Sequence, residues 1–247
     1  MFFPLLVLHI AAGALALLAA LIAMASRKRG GGLHARAGSL FVLMMSAMAA
    51  SAVVLTWWEP DRLTMGAGLW TLYLVHTSQQ AVRSRAGKLE GTGLLALIPG
   101  FAALLAFGDG ALMAAQAQDG QFEGTGMAGF MVFGLFTALS LGLDASLIWR
   151  RALAPRQRVA RHLWRMTTAT FLAVTSLFLG QQDDVFPWMQ GSPVLLVPSL
   201  LTLVFLLYWI LRVRFARNWL GAIIGFTRSK ADDGASTSSA LTQKGQA

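Results

Sequence analysis

The 247-residue sequence contains no cysteine. This absence excludes disulfide bonds, thiolate zinc sites, thiolate-bound iron–sulfur clusters and the covalent attachment of a c-type haem. Cysteine usage therefore gives no information on the redox state of the protein's compartment.

Charged residues are also scarce. They make up 13% of the chain, against about 25% in soluble domains, while 56% of the residues are hydrophobic and the mean hydropathy is +0.60. The formal net charge is +9, but the basic residues cluster at the ends of hydrophobic runs, where they are typical of a membrane protein. This composition excludes an ordinary soluble enzyme, a disordered protein and a nucleic-acid-binding domain.

Seven hydrophobic runs approach the roughly 20 residues that a helix needs to cross a bilayer. The sequence therefore predicts an all-α, polytopic transmembrane helical bundle of about seven spans. The dipeptide Pro99-Gly100 interrupts the fourth run, and the sixth needs its polar flanks to reach across. The predicted spans are residues 2–25, 39–57, 65–82, 92–107, 127–149, 166–179 and 194–211.

The charges predict an orientation. With the N-terminus outside and the C-terminus in the cytoplasm, nineteen of the twenty basic residues lie inside and only Arg62 lies outside. The excess of arginine over lysine and the abundance of alanine are typical of a GC-rich bacterial source, so we expect a bacterial inner membrane. Residues 1–228 form one transmembrane domain, in which 212–228 can lie as an interfacial helix on anionic headgroups. Residues 229–247 are predicted to be a disordered cytoplasmic tail.

Polar residues inside spans usually face the bundle interior or a cavity. The third span carries a polar stripe at helical spacing, made of Tyr73, His76, Thr77 and Gln80. In the fifth span Asp144 is the only acidic residue predicted within a span, and its depth matches that of His76, about 9–10 Å from the cytoplasmic boundary. An Asp144–His76 contact is one prediction. The alternative is that each side chain finds its own hydroxyl or backbone partner.

Two further histidines fall near the same membrane face. A pocket assembled from His34, His76, Asp144 and His162, with Tyr73 and Gln80 beside it and Arg36 and Arg165 at its mouth, would suit an anionic ligand, a quinone headgroup or a proton path. The alternative places His34 and His162 in the interface beside lipid phosphates. No metal site is predicted.

Three short motifs carry a family resemblance: His9 in the first span, the basic, glycine-rich stretch 29–38 before the second, and His-x-x-Arg-Met at 162–166. With them the chain resembles a family of small predicted bacterial multi-pass inner-membrane proteins, classed as a domain of unknown function. The resemblance implies a fold and supplies no reaction or catalytic residue.

The preferred functional hypothesis is a non-catalytic membrane protein: a small-ligand binder, a sensor, or a subunit of a membrane partner or homo-oligomer. One alternative is a proton-coupled transporter that uses His76 and Asp144, with helix breaks at Pro99-Gly100 and Pro198. Another is a quinone-linked or haem b redox protein. Haem b is not favoured, because no two histidines within spans match in depth, although a haem between His34 and His162 at the inner boundary stays open.

Overall fold

The structure is a computed structural model that describes residues 2–26, 32–83, 92–150 and 154–215. Within these ranges seven helices have 19 residues or more, and we number them in chain order. They are α1 (Phe2–Ala25), α2 (Leu33–Leu55), α3 (Arg62–Arg83), α4 (Leu97–Gln116), α5 (Met127–Arg150), α6 (Pro155–Thr175) and α7 (Val197–Phe215).

The helices form a bundle whose outer surface is rich in large apolar side chains. Leu105 and Leu135, for example, are 73% and 70% exposed, as is common where lipid replaces water. In the described ranges five helical segments are long and apolar enough to cross a membrane, and they include α1, α2, α4, α5 and α7. These features indicate a multi-pass membrane protein and confirm the predicted helical bundle.

Helices α3 and α6 are less apolar than the other five, and they lie inside the bundle. Helix α3 packs against α2, α4 and α6, while α6 also packs against α7. Several of the polar side chains that lower their hydropathy are buried there, including Thr77 and Ser78 on α3 and Arg165 on α6. These polar groups therefore face other helices rather than lipid.

Small residues bring α1 and α2 together. Ala12, Ala16 and Ala20 on α1 are all buried, and α1 packs mainly against α2. At the same interface His9 Nδ1 lies 2.9 Å from the Met48 carbonyl oxygen and 3.1 Å from Ser51 Oγ. Close backbone approach and an interhelical hydrogen bond thus join the two helices.

Three helix boundaries differ from the sequence prediction. Helix α2 begins at Leu33 and α6 at Pro155, each well before the predicted span, so both helices include residues that were expected to precede them. Helix α4 runs from Leu97 to Gln116, and Pro99 lies in its first turn, where proline's missing N–H costs no helical bond. The expected break is therefore a helix start, preceded by the short helix Thr92–Leu95.

We name the two ends of the bundle. At the basic end α1, α3 and α7 finish, and α2 and α6 begin. The opposite end is the hairpin end. The hairpin end carries an antiparallel pair of two-residue strands, Gln121–Phe122 and Thr125–Gly126. It also carries an ion pair between Arg62 and Asp109 at 3.3 Å.

After α6 the chain continues as a π-helical turn at Ser176–Gly180, a short helix at Gln182–Val185 and two 3₁₀ turns at Pro187–Met189 and Pro193–Leu196. Helix α7 then includes the start of the predicted 212–228 interfacial helix. The rest of that helix and the predicted tail lie outside the described residues.

Candidate functional site

Four side chains from three helices form a cluster in the bundle interior, which we call the ionic cluster: Tyr73 on α3, Asp144 on α5, and Arg161 and Arg165 on α6. Asp144 is 1% exposed, and Tyr73 and Arg165 are fully buried. Arg165 Nη2 lies 2.6 Å from Asp144 Oδ1, and the Tyr73 hydroxyl donates to Oδ2 at 2.7 Å. Arg161 pairs with the same carboxylate. Every oxygen of Asp144 thus has a donor.

Arg165 is the most highly connected member of the ionic cluster. Its guanidinium donates to the Tyr73 hydroxyl at 3.0 Å, to the Ser140 carbonyl oxygen at 3.2 Å and to Thr77 Oγ1. The cation also lies 4.9 Å from the centre of the Tyr73 ring. One side chain of α6 therefore contacts both α3 and α5.

A third arginine of α6, Arg158, contacts the end of α3. Arg158 Nε donates to the Ala81 carbonyl oxygen at 2.9 Å, and its Nη2 donates to the Val82 carbonyl oxygen at 3.1 Å. These carbonyls belong to the last turn of α3, which lacks partners within its own helix. Arg158 thus caps α3 and fixes its position against α6.

His76 does not join Asp144. Its imidazole is on an exposed side of α3, and Nε2 lies 3.2 Å from Ser46 Oγ of α2. Gln80 is half-buried and has a partner of its own. The polar stripe predicted for α3 is therefore divided: Tyr73 belongs to the ionic cluster, Thr77 accepts from Arg165 beside it, and His76 lies against α2.

A cavity of about 460 Å³ lies at the basic end, between α1, α2, α3, α6 and α7. Its wall is mainly apolar, with small residues on the α1 and α2 side and larger ones such as Phe205 and Trp209 on α7. His34 from α2 and His162 from α6 both line it, together with Gln79 and Arg83 from α3. The structure thus brings together the two histidines that the sequence predicted for one pocket.

The orientation of His34 is fixed by a backbone hydrogen bond. Its Nδ1 lies 2.9 Å from the carbonyl oxygen of Ala23, near the end of α1. A carbonyl oxygen only accepts hydrogen bonds, so Nδ1 must carry the proton. In the neutral imidazole the lone pair is then on Nε2.

His162 is oriented in a similar way through Ser78 of α3. Ser78 Oγ lies 3.0 Å from the His162 carbonyl oxygen and 3.1 Å from His162 Nδ1. The single hydroxyl proton satisfies both contacts only if it goes to the carbonyl while Nδ1 donates to Oγ. The neutral His162 ring therefore also has its lone pair on Nε2.

The residues that were predicted for a single pocket therefore lie at two separate sites. Tyr73, Asp144 and Arg165 belong to the ionic cluster, and Arg165 is fully buried there rather than at a pocket mouth. His34 and His162 line the cavity, whereas Arg36 is exposed at the start of α2.

Sequence reasoning missed Arg161 as a partner of Asp144 and Gln79 as a residue of the cavity wall. For Arg161 the sequence does contain a signal that predicts this pairing. Arg161 and Arg165 are four residues apart, so they share one face of a helix that begins before them, and Asp144 is the only acidic residue in the neighbouring span. Had the sixth helix been extended to include both, their pairing with Asp144 would have followed.

Within the described ranges no three His, Cys, Asp or Glu side chains come close enough to hold a metal ion by themselves. The cavity-lining side chains that suit a metal are the imidazoles of His34 and His162, in a mainly apolar wall. Among family models, curated proteins and solved structures, none matches this chain.

Proposed function

We propose that the chain is a bacterial inner-membrane protein with seven spans, an outer N-terminus and a cytoplasmic C-terminus. The distribution of arginine and lysine supports this arrangement. Of the basic residues in the described ranges, only Arg62 belongs to the hairpin end, and the others are at the basic end or in the ionic cluster. Positive residues are retained in the cytoplasm during insertion, so the basic end is the cytoplasmic side. Helices α3 and α6 complete the seven spans, since the charged ends of Arg161 and Arg165 are paired with Asp144 inside the bundle.

Its proposed function is the binding of a small, largely apolar ligand in the cavity at the basic end. The single observation that carries this proposal is the cavity itself, with two oriented imidazoles in a mainly apolar wall. The space of about 460 Å³ is partly open at the surface of the bundle, so a ligand can reach it from outside. Ligand sites have this size and this combination of apolar walls and a few convergent polar groups.

Gly38 adds to the argument from the α2 side of the cavity. A Cβ atom built on Gly38 meets no atom within 4 Å, although the residue is only partly exposed and lines the cavity. The wall beside His34 is therefore open, and a larger residue there would project into the space that a ligand needs.

The ionic cluster serves this function as a scaffold. Arg161 directly precedes His162 on α6 and Arg165 follows it three residues later, and both arginines are bound to Asp144. The other side of α6, with His162, Met166 and Thr170, forms a wall of the cavity. Anchoring α6 to α3 and α5 thus holds this wall at a fixed distance from α1 and α2.

A role for Asp144 as a proton carrier has less support from the geometry. A transporter that uses His76 and Asp144 needs a path between them, but His76 contacts Ser46 and Asp144 is engaged by Tyr73, Arg161 and Arg165. Proton transfer would require several of these buried bonds to break.

The test is native mass spectrometry of the purified protein in a mild detergent. We expect wild-type protein to carry a non-covalent small molecule of defined mass, and Gly38→Phe to lose it because the ring fills the cavity. The matched control is Gly142→Phe, since Gly142 is exposed on α5 and its Cβ also meets nothing within 4 Å. A wild type without a bound molecule, or a molecule retained equally by Gly38→Phe, would contradict the proposal.

A further inference from the structure

We propose that the ligand of this cavity is haem b, held non-covalently with Nε2 of His34 and Nε2 of His162 as its axial ligands. This inference rests on the proposed function, since it names the occupant of the same site.

The first argument is the orientation of the two imidazoles. Histidines that ligate metals almost always donate their other ring nitrogen to a carbonyl, a carboxylate or a water, which fixes the tautomer and orients the ring. His34 does so through Ala23, and His162 does so through Ser78. Two histidines that line the cavity from different helices are thus both held with Nε2 as the nitrogen that carries the lone pair.

The orientation also discriminates between ligand classes. A quinone presents carbonyl oxygens, which need a hydrogen-bond donor, and a neutral His34 has its proton committed to the Ala23 carbonyl oxygen. A metal centre needs the lone pair that this tautomer provides. His34 by itself therefore favours a metal, and only Gln79 or Arg83 at the edge of the wall would be left to donate to an oxidised quinone.

The second argument is the small number of donors. A bare metal ion bound only by protein needs about four ligands, and in the described ranges no three suitable side chains converge. In haem the porphyrin supplies four nitrogen ligands to the iron, so the protein provides only one or two axial ligands. Because the chain contains no cysteine, the haem would be b-type, without a thioether link to the protein.

The third argument is the composition of the wall. Ala20, Ala35 and Gly38 offer a low, apolar surface against which a flat macrocycle can lie. Gln79 and Arg83 provide polar groups at the cytoplasmic edge, and a guanidinium suits the carboxylate of a haem propionate.

The fourth argument is depth. Ala23 is two residues from the end of α1, and Ser78 is five residues from the end of α3. At about 1.5 Å per residue, both imidazoles are anchored within about 8 Å of the basic end of the helices. His9 and His76 are bonded to α2 elsewhere and contribute nothing to the cavity wall.

The experiment is to express the full chain with haem in plentiful supply, purify it in detergent, and record absorption spectra before and after dithionite. We expect a stoichiometric Soret band that shifts on reduction, with the low-spin bands of a haem bound by two imidazoles. His34→Ala and His162→Ala should each lose the low-spin spectrum. The matched controls His9→Ala and His76→Ala should keep it.

A structural role of His34 is separated from ligation by rescue. His34→Gly leaves space for a free imidazole, so added imidazole should restore the low-spin bands if His34 is an axial ligand. A variant that merely misfolds would not recover. Size-exclusion chromatography of each variant checks that the bundle is intact.

Three other outcomes would each overturn a different part of the two proposals. A flat visible spectrum, together with a different molecule that Gly38→Phe displaces, would overturn haem while the proposed function stands. A flat spectrum without any displaced molecule would overturn both. A bound haem whose spectrum ignores His34→Ala and His162→Ala would overturn the assignment of the ligands.

Discussion

Asp144 and Arg165 form an ion pair at 2.6 Å between α5 and α6, with both side chains almost completely buried. Arg161 shares the carboxylate, and Tyr73 donates to its second oxygen. A buried charge is tolerated only when it is paired and hydrogen-bonded, so each member of this group depends on the others. The pair makes α6 a fixed element of the bundle despite its polar first half.

Asp144→Asn should destabilise the protein strongly. It removes the counter-charge of two buried guanidinium groups, and breaking a buried ion pair by removing one partner costs about 3–5 kcal/mol. The matched control is Asp109→Asn, which breaks the Arg62–Asp109 pair, whose side chains are 37% and 51% exposed. That exposed pair should be worth about 0–1 kcal/mol. Unfolding in detergent, followed by circular dichroism, compares the two, and equal effects would contradict the importance of the cluster.

Tyr73→Phe should destabilise the bundle by about 1–3 kcal/mol, because it deletes one hydroxyl from a buried network and leaves an oxygen of Asp144 with fewer donors. The ring and its packing remain. Tyr208→Phe serves as the control, since Tyr208 is half exposed and its hydroxyl accepts from Arg212 at 2.6 Å on the protein surface. Its cost should stay within about 0.5 kcal/mol. Denaturant titrations of both variants test this difference, and a Tyr73→Phe protein as stable as wild type would refute it.

Gly100→Ala should also destabilise, for a steric reason. A Cβ at Gly100 would lie 2.9 Å from Cδ2 of Tyr73 and 3.1 Å from Cδ2 of Leu141, so α4 or the Tyr73 ring must move. Overpacking of this kind costs about 1–3 kcal/mol.

Gly108→Ala, on the same helix, provides the control for Gly100→Ala. Its Cβ meets nothing within 4 Å, so the substitution should be neutral or should stabilise by about 0.5–1 kcal/mol through the lower entropy of the unfolded chain. Melting temperatures that move in opposite directions are the expected result. A shared direction would show that α4 and Tyr73 are not in close contact.

The orientation can be measured directly because the chain has no cysteine of its own. Gln118→Cys lies in the exposed loop at the hairpin end, and Arg36→Cys is exposed at the basic end. In intact spheroplasts a membrane-impermeant maleimide should label Gln118→Cys, and it should label Arg36→Cys only after permeabilisation. The reverse pattern would invert the proposed topology.

Hydrophobicity alone predicts where the long helices lie, since each of the seven predicted spans overlaps one helix of the bundle. The predicted start of the sixth span at residue 166 was wrong: it followed the apolar run alone and so left out Arg161 and Arg165, whereas α6 begins at Pro155. Their inclusion depends on Asp144, which belongs to another helix, and such pairing is a property of the fold rather than of local composition.

The position of His76 is a second feature that the sequence alone does not predict. Tyr73 and His76 are about 60° apart around α3, so both belong to one polar stripe by spacing. Packing against α2, α4 and α6 decides which part of that stripe is enclosed, and it encloses Tyr73 while leaving His76 exposed. The cavity histidines were found because their charged neighbours marked one end of the bundle.

The ionic cluster also has a consequence for how the protein is made. Helix α6 is not among the segments apolar enough to cross a bilayer on composition alone, at least in the part of the chain that the structure describes. Ribosomal synthesis delivers α5, with its carboxylate, before α6 with its arginines. In the proposed seven-span arrangement the nascent α6 would meet its counter-ion already in the membrane, and we expect its insertion to be a cooperative step of the α5–α6 pair rather than a partitioning of one segment.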